Sequence, residues 1–255
     1  MTEGNPGADP VPPRRPRLEE PTPPPRLGLL DHLEEWIYRL NERDHWIFRS
    51  YDFANEVAAV ALFRRTRAAA RALRTEFGGA GAAASLRLLR PEDTESFSSF
   101  LASLGTRYLP PHRLDSRTAA RVLRRRSHLP FGIFVEGRLQ GYVLARFFLP
   151  GRVVAGIWIL PAIHGRRYGR DGWWAVVEFL HRQGWPLYCT IPRGNTPSIR
   201  TALAAGFDFV RTNRRFHVLR VDPRRLEAQA RTRSPARASP PPEAASGGSS
   251  IRGRR

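Results

Sequence analysis

Residues 162–174, AIHGRRYGRDGWW, interleave glycines, arginines and aromatic rings. They follow an apolar run, VVAGIWIL, and open a stretch with helical spacing. A turn that leads into a helix start leaves backbone N–H groups unpaired beside the positive end of the helix dipole, and both favour an anion. Arg166, Arg167 and Arg170 add full positive charge at that place. The implied chemistry is phosphate binding. The phosphate belongs either to a nucleic acid met by a basic patch or to a small phosphorylated cofactor cradled by a turn. Further along, Asn195 precedes a helical run and can cap it. Few groups nearby in sequence could move protons. Tyr188, Asp208 and His217 are the candidates, each in or beside a strand-like segment. Tyr188 and Cys189 are neighbours on one strand, so one faces the core and the other a cleft. Cys189 is the only cysteine, which excludes an intrachain disulfide and a cysteine-based zinc site, and no metal centre is expected.

The elements that hold these residues come from the hydrophobic pattern. Residues 1–27 are rich in proline and polar groups and read as a disordered tail, as does the basic stretch 222–255. Residues 28–84 read as a helical extension and linker. Asp31 can cap a helix with Leu33, Trp36, Ile37 and Leu40 on one face, and a second helix is expected from Asp52 to Phe77. That helix has Phe53, Val57, Val60 and Phe63 on one side and a basic second half. Packing on the neighbouring domain is the expected role of the apolar side; peripheral contact with an anionic membrane is the alternative. Gly78–Gly81 ends it. Residues 85–221 alternate in the order β-α-α-β-β-β-α-β-α-β-β, with a turn at Glu136-Gly137 and a glycine cap at Gly206. An α/β protein follows, a mixed sheet with helices on its faces.

The 255 residues carry a formal charge of +19. All of the basic residues are arginine, and such a composition, with its many alanines, glycines and prolines, points to coding bias more than to selection for phosphate contact. No helix-turn-helix or zinc pattern is present, so specific nucleic-acid binding is not expected. Neither a signal peptide nor a run of the roughly 18 apolar residues needed for a membrane span is seen, and a cytoplasmic location is expected.

Four segments, in this order, carry a resemblance to a known family: LRLLRPEDTESF, FVEGRLQGYVLARF, ILPAIHGRRYG and NTPSIRTALAAGF. Together, over roughly residues 85–221, they resemble the Gcn5-related N-acetyltransferases, the GNAT family. The last segment matches the family's Asn…Gly-Phe signature through Asn195, Gly206 and Phe207. The resemblance implies the GNAT acyl-CoA N-acyltransferase fold with an N-terminal helical extension. It implies acetyl-CoA as co-substrate, no metal, and an amine as acceptor. The family's Gln/Arg-x-x-Gly-x-Gly/Ala loop binds the pyrophosphate. Its best register here puts His164 first, Arg167 at the central glycine and Gly169 last, with Gly165, Arg166, Tyr168 and Arg170 around them. A second register starts at Arg166, uses Gly169 and ends on Asp171. The family breaks pairing between its fourth and fifth strands, which implies that backbone groups of Ile157, Ile159 and Leu160 receive the pantetheine arm. Asn195 matches the asparagine that often contacts the cofactor.

Two usual catalytic groups are missing. The family's glutamate base belongs on RVVAGIWIL, which has no carboxylate, and its tyrosine acid belongs at Ala202. Base work through water could fall to His217, Asp208 or Tyr188, none with a family motif behind it. An N-acetyltransferase acting by direct amine attack is expected; the alternative is a catalytically silent acyl-CoA-binding or protein-interaction module. The acceptor cleft would include PPHRLDSR with His112 and Asp115. Oligomeric state is not legible.

Overall fold

The computed structural model describes residues 45–77, 83–104, 116–214 and 216–233. The expectations for residues 1–44, for Gly78–Gly81, for His112 and Asp115, and for 234–255 lie outside the described residues. Two helices come first, α1 (His45–Leu62) and α2 (Arg64–Ala72), then strands β1 (Arg74–Phe77) and β2 (Ala84–Leu88). Helices α3 (Thr94–Leu104) and α4 (Ser116–Arg124) follow, then β3 (His128–Val135), β4 (Arg138–Phe148) and β5 (Arg152–Ile159). The chain continues through α5 (Tyr168–Arg182), β6 (Leu187–Pro192), α6 (Thr196–Ala204), β7 (Phe207–Thr212), β8 (Phe216–Val221) and α7 (Pro223–Arg233).

The eight strands form one mixed sheet in the order β1-β2-β3-β4-β5-β6-β8-β7. Only β5 and β6 run parallel; every other neighbouring pair is antiparallel. The alternating pattern over β3 and β4 closes on a two-residue turn in which Glu136 and Gly137 both have positive φ, 51° and 75°. That is the geometry a tight hairpin demands, and it accounts for the glycine. Side chains from alternate positions build two cores. On one face, Leu129, Phe131, Val153, Cys189 and Leu219 meet Phe63 of α1–α2, Trp173 and Leu180 of α5, and Ile199 of α6. On the other, Tyr142 and Leu144 meet Phe97, Phe100 and Leu101 of α3 and Leu123 of α4.

The N-terminal helices are part of this body. Phe63 is fully buried, 5.5 Å from the Phe147 ring and 5.3 Å from Trp185; burying such a ring contributes about 2–3 kcal/mol. Asn55 donates to Phe147 O at 2.8 Å and accepts from Leu149 N at 2.9 Å. Glu56 accepts from Arg126 N at 2.6 Å and from the Ser127 hydroxyl. Arg67 donates to three carbonyls, those of Arg125, Arg126 and His128, at 3.0, 2.9 and 2.8 Å.

Three local expectations change. The single helix predicted over 52–77 breaks at Phe63 and ends at Ala72, because Arg74–Phe77 pair with Arg87–Ala84 as an edge strand. The apolar side chains assigned to one face of that helix divide: Phe63 is buried, whereas Phe53, Val57 and Val60 are exposed. Residues 223–233, expected within a tail, form α7, held to the body by Leu226, which is buried against Gly206.

Candidate functional site

The site begins where β5 and β6 part. Their ladder has two pairs, Val153↔Leu187 and Val154↔Tyr188, although β5 continues to Ile159 and β6 to Pro192. On the other edge of β5, pairing with β4 runs on to Gly141↔Ile159. Backbone direction alternates along a strand. Val153 N donates to Pro186 O on the β6 side, and Leu160 N donates to Gln140 O on the β4 side. Parity then turns Ile157 and Ile159 toward the opening beside β6. Leu160, expected among the freed groups, is not one of them, because its N–H is taken by Gln140 O at 2.9 Å.

The loop after β5 makes a one-turn 3-10 helix at Pro161–Ile163 and enters α5 at Tyr168. Gly165 has φ 75° and Arg167, at the N-cap of α5, has φ 66° and ψ −15°. The backbone at Arg167 is therefore left-handed, a conformation that glycine adopts without cost and other residues adopt for about 1–2 kcal/mol. This explains in physical terms why the resemblance places a glycine there. No side chain caps this helix end, so its first-turn N–H groups face outward. Gly165, Arg166, Arg167 and His164 are exposed, Tyr168 and Gly169 are buried, and Arg170 is half-buried with its Nε 3.4 Å from Asp171 Oδ1. His164 Nε2 lies 3.4 Å from Ile159 O, which joins the loop to the open edge of β5.

Gly169 seats α5 against β5. A Cβ there would stand 2.9 Å from Ile159 Cδ1 and 3.2 Å from Ile159 Cγ2. The helix start and the free strand edge are brought together by the absence of a side chain. Asn195 is exposed and caps α6, its Oδ1 accepting from Ser198 N at 3.3 Å.

Arg167 offers a test of the loop's backbone. Replacing it with valine, whose branched Cβ fits positive φ poorly, is expected to lower unfolding free energy by about 1–2 kcal/mol. Arg167→Gly should be tolerated. Urea unfolding of the two variants beside the parent measures the difference.

The three proton-transfer candidates separate. Register places Arg146, Val154, Tyr188, Arg220 and Asp208 in one row across β4, β5, β6, β8 and β7. Paired residues point to the same side, so Tyr188 and Asp208 share the face that carries α3 and α4. Tyr188 is half-buried at the fork of the two strands, with the Arg220 guanidinium 5.7 Å from its ring centre. Asp208 is two strands away and engaged: Oδ2 lies 3.4 Å from Arg225 Nη2, and Oδ1 accepts from Phe209 N at 2.9 Å. His217 is on the opposite face, fully buried, its Nδ1 2.8 Å from Thr212 Oγ1 and its ring against Phe209. Core packing accounts for His217, and an amine in the opening does not reach it. Cys189 also faces that core, and burial raises its thiol pKa well above the usual value. Among the described residues no group of three or more His, Cys, Asp or Glu could hold a metal ion.

One residue escaped the sequence reading. Trp158 stacks on Tyr142 at 4.8 Å and 15°, and its ring lies over Gly156, where a Cβ would be 2.8 Å from Cη2. The i, i+2 pairing of Gly156 with Trp158 on one strand face was the available signal.

The mixed sheet thus opens between its two parallel strands, with a glycine-containing turn and a bare helix start at the mouth. Residues 84–208 match the family model described as the Acetyltransferase (GNAT) domain, and this stretch of the chain is a GNAT domain. Two solved structures, with TM-scores above 0.5, agree on the fold. The GNAT domain of S. lividans PAT is 14% identical, with a TM-score of 0.53, covering 58% of this chain and 96% of that one. An uncharacterized protein from Bacillus halodurans is 12% identical, with a TM-score of 0.51, covering 61% and 93%. RimJ of Mycobacterium smegmatis, in complex with CoA-disulfide, is 15% identical, with a TM-score of 0.49, covering 62% and 94%. No curated protein matches the sequence. Among the described residues no helix is long and apolar enough to cross a membrane.

Proposed function

We propose that the chain is an acyl-CoA-dependent N-acyltransferase that moves an acetyl group from acetyl-CoA to a primary amine by direct attack. The observation that carries this reading is the end of the β5–β6 ladder at Val154↔Tyr188, directly before the loop 160–169. The match of residues 84–208 to the GNAT domain model supports it. Ile157 and Ile159 offer backbone groups to the pantetheine arm. The N–H groups of the α5 start, with Gly165, Tyr168 and Gly169, hold the pyrophosphate, and His164, Arg166, Arg167 and Arg170 add charge at its rim. Asn195 lies at the neighbouring helix start.

Bound acyl-CoA would supply a thioester carbonyl and a thiolate leaving group. At the fork, Ile157 N–H is the donor placed to polarise that carbonyl. Tyr188 is half-buried at the same point; as the C–N bond forms and the C–S bond breaks, its hydroxyl gives a proton to the thiolate and regains, through water, the proton that the amine nitrogen sheds. Trp158 and Tyr142 wall the acceptor side and keep water from it. Holding amine and thioester together supplies several kcal/mol of the barrier reduction by itself.

The test is thiol release from acetyl-CoA in the presence of a panel of amines. Tyr188→Phe should lower turnover roughly 100-fold while leaving calorimetric binding of acetyl-CoA within about twofold. Unchanged turnover would remove Tyr188 from the chemistry. The second reading is a binding module that is catalytically silent, favoured by the ring of Trp158 over Gly156 on β5. It predicts tight acetyl-CoA binding and no thiol release with any amine.

A further inference from the structure

Helix α1 meets the body on one side. Asn55, Ala59 and the following Phe63 are buried there. The two carboxylates of α1 are drawn to the body as well. Asp52 Oδ2 accepts from Arg125 Nη2 at 2.9 Å, and Glu56 accepts from Arg126 N at 2.6 Å. On the outward side Phe53, Val57 and Val60 have relative exposures of 73%, 56% and 56%. Their spacing of four and three puts them in one stripe. Hydrogen bonds from Phe63 N to Ala59 O and from Arg67 N to Phe63 O carry the four-residue repeat into α2. Arg64 follows Val60 by four residues and Arg71 comes seven later, so both continue the stripe. Arg64, Arg71 and the adjacent Arg65 are exposed. Among the described residues none of these three arginines enters an ion pair.

We propose that this ridge of α1 and α2 lies on the surface of an anionic lipid bilayer. Isolated exposed apolar residues are ordinary, but an aligned apolar stripe marks a surface with a partner. Phe53, Val57 and Val60 fit the boundary between headgroups and acyl chains, and the long arginine side chains reach lipid phosphates at its level. Charge decides among partners. The ridge carries cations only, because Asp52 and Glu56, the only acidic residues of α1 and α2, are engaged on the body side. A second copy brought ridge to ridge would set these arginines against no carboxylate. A specific protein partner has too little to hold: three apolar side chains and three arginines fall short of the roughly 20–30 residues a side in a stable interface. A bilayer needs no such area, since apolar insertion and attraction to anionic headgroups act together.

The test is sedimentation of the full chain with vesicles of phosphatidylcholine, with and without phosphatidylglycerol, at physiological salt. The chain should sediment with the anionic vesicles and stay in solution with the neutral ones. Phe53→Ser/Val57→Ser keeps the charge and should lower partitioning at least roughly tenfold. Arg64→Gln/Arg71→Gln should lower it by a similar factor, about tenfold. Arg138→Gln/Arg193→Gln removes the same charge from exposed positions elsewhere and should cost clearly less. All six positions are exposed, so Tm should be unchanged in every variant. No sedimentation with anionic vesicles overturns the proposal, and equal sedimentation with neutral ones overturns the anionic assignment. Equal losses from the two arginine pairs, with none from the serine pair, would mark adsorption of a cationic chain by charge alone and overturn it too. A dimer in analytical ultracentrifugation that Phe53→Ser/Val57→Ser dissociates would overturn it in favour of a second copy.

Discussion

In the variant Gly169→Glu, acetyl-CoA binding measured by calorimetric titration is expected to be lost. Gly169 is buried at the second position of α5, and any Cβ there meets Ile159 Cδ1 at 2.9 Å. The added side chain must turn outward into the mouth of the opening. Its carboxylate then competes for the N–H groups assigned to the pyrophosphate. Two like charges about 4 Å apart cost about 4 kcal/mol at an effective dielectric of 20, roughly 1,000-fold in affinity. The contact with Ile159 also costs folding stability, so the titration is read on a variant whose cooperative unfolding transition is intact. Gly169→Ala separates the effects: it crowds Ile159 without adding charge, and should weaken binding far less than the glutamate. If Gly169→Glu binds like the parent, the pyrophosphate is elsewhere. If the folded parent does not bind acetyl-CoA at all, the acyltransferase reading fails with it.

The second large effect is a loss of stability in mild acid, traced to His128. This side chain is buried on β3 beside Arg146, Arg125 and Arg67. Burial first, and those three cations next, push its pKa down to about 3 from the ordinary 6.5. The folded protein thus holds a neutral imidazole that the unfolded chain protonates readily. The stability this contributes is fully present above about pH 6.5 and is lost as pH falls toward about 3. The slope approaches 1.4 kcal/mol per pH unit within that window. Asp93 acts lower. The Arg87 guanidinium, 2.7 Å away, holds its carboxyl below the usual carboxylate range. Its contribution is present above about pH 4 and lost only below that. Urea unfolding from pH 8 to pH 4 should show a fall in the parent that is much reduced in His128→Gln. Equal slopes in both would clear His128 and point to the carboxylates.

The order of elements from β2 to β8 was legible because each has its own periodicity and turn residues. Glu136-Gly137 and Gly206 mark two boundaries, and both glycines take positive φ. What sequence missed depends on distant partners. RTEF at 74–77 continues a helical spacing and becomes β1 only because β2 offers an edge across an intervening glycine-rich stretch. Helix α7 is mostly polar and arginine-rich, with one deeply buried anchor, Leu226, so composition alone resembled a tail. At the site, the glycines and arginines of the loop were visible as letters. The face on which His217 lies was not, because it follows from register with β6 and β7. The left-handed backbone at Arg167 was signalled only by the glycine that the resemblance places there, since the arginine itself carries no mark of it.

The contacts of Phe63, Asn55, Glu56 and Arg67 with β3, β4 and Trp185 bear on where this protein can be cut. The stretch recognised by family likeness starts at residue 84, but the wall that closes the core over Phe147 and Trp185 is contributed by residues before it. Leu226 plays the matching part beyond the other end. An excision at the borders of likeness would leave two aromatic rings and several backbone carbonyls facing water. The inherited unit and the cooperative unit are thus of different lengths: evolution's module is the shorter, and thermodynamics draws its border outside it on both sides.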